Sequence, residues 1–221
     1  MGWAERDNHN RPLPYILKTR LEGLRVAVDV QHLYKTDAPQ DRGAIFELPG
    51  GFRVAEAQAA TTYAQACVAW LSARGATVLT NHLARLELIG SYYRRLKQAE
   101  KWGARAYLAC HINAGRGSYA ALEYPQGAAG IALSTRIGLS LTDGIKEILS
   151  YKSVPLGPKD RGFACIGSFP TDRAAVLVEP FFGDNPRQQG LLSTPRLVEL
   201  GEAIGEGVAR WWEAEKDRRL I

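Results

Sequence analysis

Residues 25–32 read RVAVDVQH, an apolar run interrupted by one acid, Asp29, and closed by a histidine. Two more runs have this form: AYLAC at 106–110 leads to His111, and AVLV at 175–178 leads to Glu179. A strand buried on both faces reads as continuous Val, Ile, Leu and Ala, as it does inside a parallel sheet. Open α/β sheets hold their ligands outside the carboxyl ends of such strands. The three runs therefore predict central parallel strands that carry His32, His111 and Glu179 to one rim.

A fourth polar group joins them from a helix. In VAEAQAATTYAQACVAWLSARG, residues 54–75, apolar or small side chains at Ala57, Ala60, Ala64, Cys67, Val68 and Leu71 keep helical spacing, and Gly75 marks the stop. Glu56 falls in the first turn, where the helix dipole favours a carboxylate and the side chain faces the same rim as the strand ends. Two histidines and a glutamate are the protein ligands of several catalytic zinc sites, with the fourth position left to water. Glu179 follows a run that should be buried and precedes Pro180, Phe181 and Phe182. An ionised carboxylate in such surroundings is costly unless it is paired or linked to a metal.

Outward from these points, strand and helix alternate. Residues 1–24, with Pro12 and Pro14, read as an N-terminal arm, and 25–221 as one domain. The stretch 35–52 reads as a loop with room for a small hairpin, because it contains Pro39, Gly43 and the turn Pro49-Gly50-Gly51. A helix over 54–73, a strand over 76–80 and a charged helix over 83–101 follow. Arg94, Arg95, Lys97, Glu100 and Lys101 of the charged helix read as a solvated face. A strand over 104–110, a short strand AALEY at 120–124, and an amphipathic helix marked by Ile131, Ile137, Leu141, Ile145 and Leu149 come next. Residues 152–170, rich in Pro and Gly, read as a long irregular loop and a wall of a cleft. A strand over 174–178 and a helix over 195–216 close the chain. This order predicts an α/β fold: a single-domain three-layer αβα with a twisted mixed, mostly parallel sheet.

Composition narrows the class. With 221 residues, 46% of them hydrophobic, the chain can bury a substantial core. No apolar stretch approaches the ~20 residues needed to cross a bilayer, and the first fifteen residues lack the apolar middle of a secretory signal. Synthesis in the cytoplasm is the corresponding expectation. Three cysteines, Cys67, Cys110 and Cys165, lack zinc-ribbon or redox-pair spacing, and Cys67 and Cys110 read as small core residues. The net charge of +5 implies attraction to a polyanion, whether cell-wall polymer, lipid headgroups or nucleic acid.

The residues resemble the zinc-dependent N-acetylmuramoyl-L-alanine amidases that cut peptidoglycan, in the type 3 branch built on a twisted α/β sheet. That family's first strand ends in Asp and then Pro-Gly-His, where this chain has Asp29-Val30-Gln31-His32. Its second ligand is a Glu opening a helix, matched by Glu56, and the helix runs on to a short glycine-led strand matched by GATVLT at 75–80. Its third ligand lies in Ser-Ile-His-Ala-Asn-Ala, where this chain reads Ala109-Cys110-His111-Ile112-Asn113-Ala114. Its catalytic glutamate lies in Leu-Val-Glu followed by Gly-Phe and an Asn, matched by Leu177-Val178-Glu179, Phe181 and Asn185. An Arg-Gly pair before the last strand corresponds to Arg161-Gly162. Two departures stand out: Gln31 and Leu33 replace glycines around the first ligand, and Asn81 stands where the family often has Arg.

The resemblance covers about 25–210 and implies amide hydrolysis between N-acetylmuramic acid and L-alanine. Zn2+ would be held by His32, Glu56 and His111, with Glu179 as the acid-base group and Asn113 and Arg161 as substrate-binding candidates. Peptidoglycan is the expected partner and no nucleic acid is expected, because no recognition motif accompanies the basic charge. The setting expected is a phage endolysin acting at the bacterial wall. A bacterial wall-remodelling amidase and a catalytically silent wall-binding domain of the same fold remain alternatives.

Overall fold

The run at 25–30 forms a strand with five of its six residues buried, β1 (Arg25–Val30). The computed structural model describes residues 20–33, 41–81, 88–145, 149–155 and 164–219. After β1 come a small antiparallel hairpin of β2 (Ile45–Glu47) and β3 (Arg53–Ala55), then α1 (Glu56–Ser72), β4 (Thr77–Thr80), α2 (Tyr92–Trp102) and β5 (Ala106–Cys110). β6 (Tyr119–Tyr124), α3 (Ala128–Gly144), β7 (Ser150–Pro155), the single turn α4 (Ala164–Gly167), β8 (Ala174–Glu179) and the long α5 (Thr194–Arg219) complete the order.

The six-stranded sheet runs β4-β1-β5-β8-β6-β7. β4, β1, β5 and β8 are parallel; β6 is antiparallel to β8, and β7 is parallel to β6. Val30 pairs with Cys110 and Cys110 with Val178, so the residues just past the three apolar runs emerge at one level. Helices cover both faces. Over one face, α1 and α3 lie on the strands and α5 packs against both helices, burying Tyr63, Leu71, Ile137, Leu141, Leu200 and Ile204 in one core. Over the other, Leu96 and Ala99 of α2 and Ile166 of α4 pack on Tyr107, Ala109 and Leu177. The result is the mixed, mostly parallel three-layer sheet expected from the sequence.

Close approach lets α5 seat between its neighbours. A Cβ at Gly201 would collide with the carbonyl of Tyr63 in α1, and one at Gly207 with the backbone of Ile137 in α3. Leu21 and Leu24, within the stretch read as an arm, are fully buried. Residues 1–19 lie outside the described residues.

Some expectations need correction. The stretch 152–170 is not wholly irregular, because β7 occupies Ser150–Pro155. Its mixed polar sequence belongs to an edge strand that draws its hydrogen bonds from β6 on one side only. α3 stops at Gly144, before Ile145 and Leu149, and Ile131 points outward at 47% exposure. α2 starts at Tyr92, where Gly90 and the capping hydroxyl of Ser91, which accepts from the Arg94 N–H, begin the helix. Arg95, read as part of a solvated face, is fully buried for a reason given below.

Candidate metal centre

His32 follows β1 through a turn, Glu56 opens α1, and His111 follows β5 directly. Their ligand-type atoms lie within 4.8 Å of one another, and among the described residues no other trio of His, Cys, Asp or Glu does so. Glu56 Oε1 is 2.8 Å from His111 Nδ1 and 3.4 Å from His32 Nε2. The remaining ring nitrogens are engaged: His32 Nδ1 is 2.9 Å from Asp41 Oδ1, and His111 Nε2 is 2.9 Å from Gln31 Oε1. The rings of His32 and His111 stand edge to face, with centroids 4.9 Å apart.

Backbone donors fix Glu56. Its Oε2 accepts from Ala44 N–H at 2.9 Å and its Oε1 from Ile112 N–H at 3.2 Å. Gly43, with φ +70°, lies so close that a Cβ there would strike the carboxylate. From α1, the Tyr63 hydroxyl donates to the His111 carbonyl at 2.9 Å, tying helix to strand end.

Electrostatics set the protonation of the trio. Burial pushes the Glu56 carboxyl up, but the hydrogen bond and charge of His111, the charge of His32 and the Ala44 N–H together hold it below the usual carboxylate range. Burial lowers the His32 imidazole, and Glu56 and Asp41 recover only part of the loss, so it favours the neutral form. His111 behaves oppositely: burial lowers it, yet the Glu56 hydrogen bond and the charges of Glu179, Glu56 and Asp29 raise it above its ordinary value. Burial raises Glu179, at the end of β8, to about 7; His111 opposes this, while Glu56 and Glu123 reinforce it. Glu179 Oε2 is buried without a hydrogen-bond partner among the described residues.

Of the weaker candidates, Asn113 uses its side-chain oxygen on the Ala114 N–H and its backbone to bridge to Phe181, Phe182 and Gly183. Arg161 and Gly162 lie outside the described residues. Gln31, Asp41, Tyr63, Asn81 and Arg95 also shape the site, and residue-by-residue reading of the sequence did not single them out as partners.

Comparisons with known proteins agree with the fold. The family profile described as N-acetylmuramoyl-L-alanine amidase matches residues 26–210. The structure is similar to the N-acetylmuramoyl-L-alanine amidase AmiC2 of Nostoc punctiforme, with TM-score 0.65 and 20% identity over 86% of this chain and 97% of that one. The catalytic domain of CwlV, an N-acetylmuramoyl-L-alanine amidase from Bacillus (Paenibacillus) polymyxa var. colistinus, gives TM-score 0.65 and 17% identity over 86% and 98% of the two chains. The catalytic domain of an endolysin targeting Clostridia difficile gives 0.52 and 18% over 85% and 97%. At these identities the likeness is one of fold. No curated protein sequence matches the chain. With the profile spanning well over half its length, the chain belongs to the N-acetylmuramoyl-L-alanine amidase family.

Proposed function

We propose that the chain is a zinc-dependent hydrolase that cleaves the amide bond between N-acetylmuramic acid and L-alanine in peptidoglycan. The observation that carries this reading is the convergence of His32, Glu56 and His111 within 4.8 Å, beside a buried carboxylate with an unpartnered oxygen.

The donor set fits zinc. An ionised glutamate and two imidazoles are suitable ligands, and Asp41 and Gln31 occupy the ring nitrogens that would face away from the ion. His32, Glu56 and His111 would then be left to hold the ion, with His32 Nε2 and His111 Nδ1 both facing the Glu56 carboxylate. Bound zinc supplies a Lewis acid that acidifies water and polarises the scissile carbonyl. Glu179 would take the proton of the attacking water and return it to the departing amine of L-alanine, a role suited to a buried carboxylate. Asp41 and Gln31 hold the two rings in orientation while this happens.

The test is metal dependence. Purified protein should contain about one zinc per chain, lose wall hydrolysis on chelation and recover it on zinc addition. Full activity in metal-free protein would remove zinc from the scheme. For the biological setting we propose a phage lysin, since the net charge of +5 favours the anionic bacterial wall. Among the described residues no helix is long and apolar enough to cross a membrane. Loss of turbidity of purified walls, measured across a salt series, tests the electrostatic attraction to the wall. It also separates the enzyme from a silent wall-binding domain.

A further inference from the structure

We propose that Arg95 and Asn81 are positioning residues that hold the turn carrying His32, and that they thereby set the zinc affinity of the site. This inference rests on the zinc reading above. The turn from Val30 to Leu33 contains no glycine, and no residue in it has a positive φ. Its geometry comes from side chains instead.

Two side chains converge on its carbonyls. Pairing between β1 and β4 ends at Val28 and Thr80, and the Asn81 side-chain amide continues the ladder in place of backbone. Val30 N–H donates to Asn81 Oδ1 at 2.9 Å, and Asn81 Nδ2 donates to Val30 O at 2.9 Å and to Leu33 O at 3.4 Å. Arg95 reaches in from α2. Its Nη1 donates to Leu33 O at 3.0 Å and to Val30 O at 3.3 Å, and its Nη2 donates to Gln31 O at 2.7 Å. These carbonyls bracket His32 on both sides. Val30 O also accepts from the Leu33 N–H, but buried carbonyls left unpaired are costly, so the Asn81 and Arg95 donors to Gln31 O and Leu33 O stabilise the turn.

The guanidinium is itself anchored. Arg95 Nη1 lies 2.8 Å from Asp29 Oδ1, both side chains are fully buried, and the contact is one of charges rather than an aligned hydrogen bond. Tyr107 donates to the other Asp29 oxygen. A planar fork fits several carbonyls at fixed angles, which a single ammonium does not do. The polar contacts of both side chains run to the backbone of the turn and to Asp29 rather than to the trio. Their effect on the metal would pass through the backbone of residues 30–33, which also carries Gln31 and hence the partner of His111.

The test measures zinc affinity, by competition with a chromophoric chelator, alongside thermal unfolding of the metal-free proteins. Arg95→Lys keeps the charge beside Asp29, and Asn81→Ala removes only the amide. A control, Leu141→Ala, destabilises the α3 core away from the site. Both site variants should remain folded at the assay temperature yet bind zinc about ten- to a hundredfold more weakly, the usual scale for residues that support metal ligands. Leu141→Ala should unfold at lower temperature with wild-type affinity. Wild-type affinity in folded Arg95→Lys and Asn81→Ala would overturn the inference. So would an affinity loss that merely follows lost stability and appears equally in Leu141→Ala. Failure of the wild type to bind zinc would instead sink the metal reading, and this inference with it.

Discussion

Gln31 Oε1 stands 2.9 Å from His111 Nε2, while His111 Nδ1 faces Glu56 Oε1 at 2.8 Å. The glutamine thus determines which nitrogen of His111 is offered to a metal. Replacing Gln31 by Leu should leave the fold in place but weaken zinc binding about tenfold or more, since partners that orient a ligating imidazole commonly contribute that much. Isothermal titration of the metal-free variant checks this; wild-type affinity would mean that Glu56 alone orients the ring.

His111 hydrogen-bonds through both ring nitrogens, and its neighbours raise its proton affinity despite burial. A cation at Nδ1 must displace the proton that faces Glu56. Zinc binding should therefore release protons and weaken as the pH falls through the His111 titration. Titrations in buffers of different ionisation enthalpy measure the protons released. An affinity independent of pH between 5 and 8 would contradict the assignment.

The role proposed for Glu179 is proton transfer, not holding the metal. Glu179→Ala should retain about one zinc per chain and lower turnover by about a hundredfold or more. Near-normal hydrolysis of purified walls by that variant would remove Glu179 from the mechanism.

The same carboxyl predicts a stability signature in the metal-free protein. Its folded pKa, about 7, lies above the ordinary value of 4.5, so the folded state binds the extra proton. That contribution is fully present below pH 4.5 and lost as pH rises through 7, at up to roughly 3 kcal/mol for the whole interval. Glu179→Gln lacks the titration. The variant should gain stability over the wild type as pH rises from 5 to 8, and urea unfolding at the two pH values reads the difference. A constant difference would show that Glu179 is not desolvated.

Gly43 combines φ +70° with a position against the Glu56 carboxylate. Gly43→Ala would strain the backbone and push Glu56 from its ligating place, so zinc affinity should fall more than thermal stability. Equal affinities in the two proteins would show that the loop gives way freely.

Much of the architecture is legible in the sequence because periodicity and burial coincide. The runs ending at His32, His111 and Glu179 become adjacent strands β1, β5 and β8, and their side chains emerge at one rim. β7 escaped because an edge strand with alternating polar residues lacks a buried strand's composition. Within the site, the ligand-type trio could be read, but the groups that position it could not. Asp29 hints at Arg95: an acid inside an otherwise apolar buried strand needs a cation. Arg95 answers that need, yet its charged neighbours Arg94 and Lys97 made it look like part of a solvated face. Asn81 and Gln31 act on backbone and ring nitrogens respectively, contacts that no spacing rule encodes.

Mass spectrometry of purified peptidoglycan digested by the zinc-loaded protein shows which bond is cut at this centre. Free stem peptides beginning with L-alanine are expected, together with glycan strands whose muramic acid lactyl groups carry a free carboxylate. Products cut at glycosidic bonds or within the stem peptide, or no products at all, would contradict the proposed cleavage.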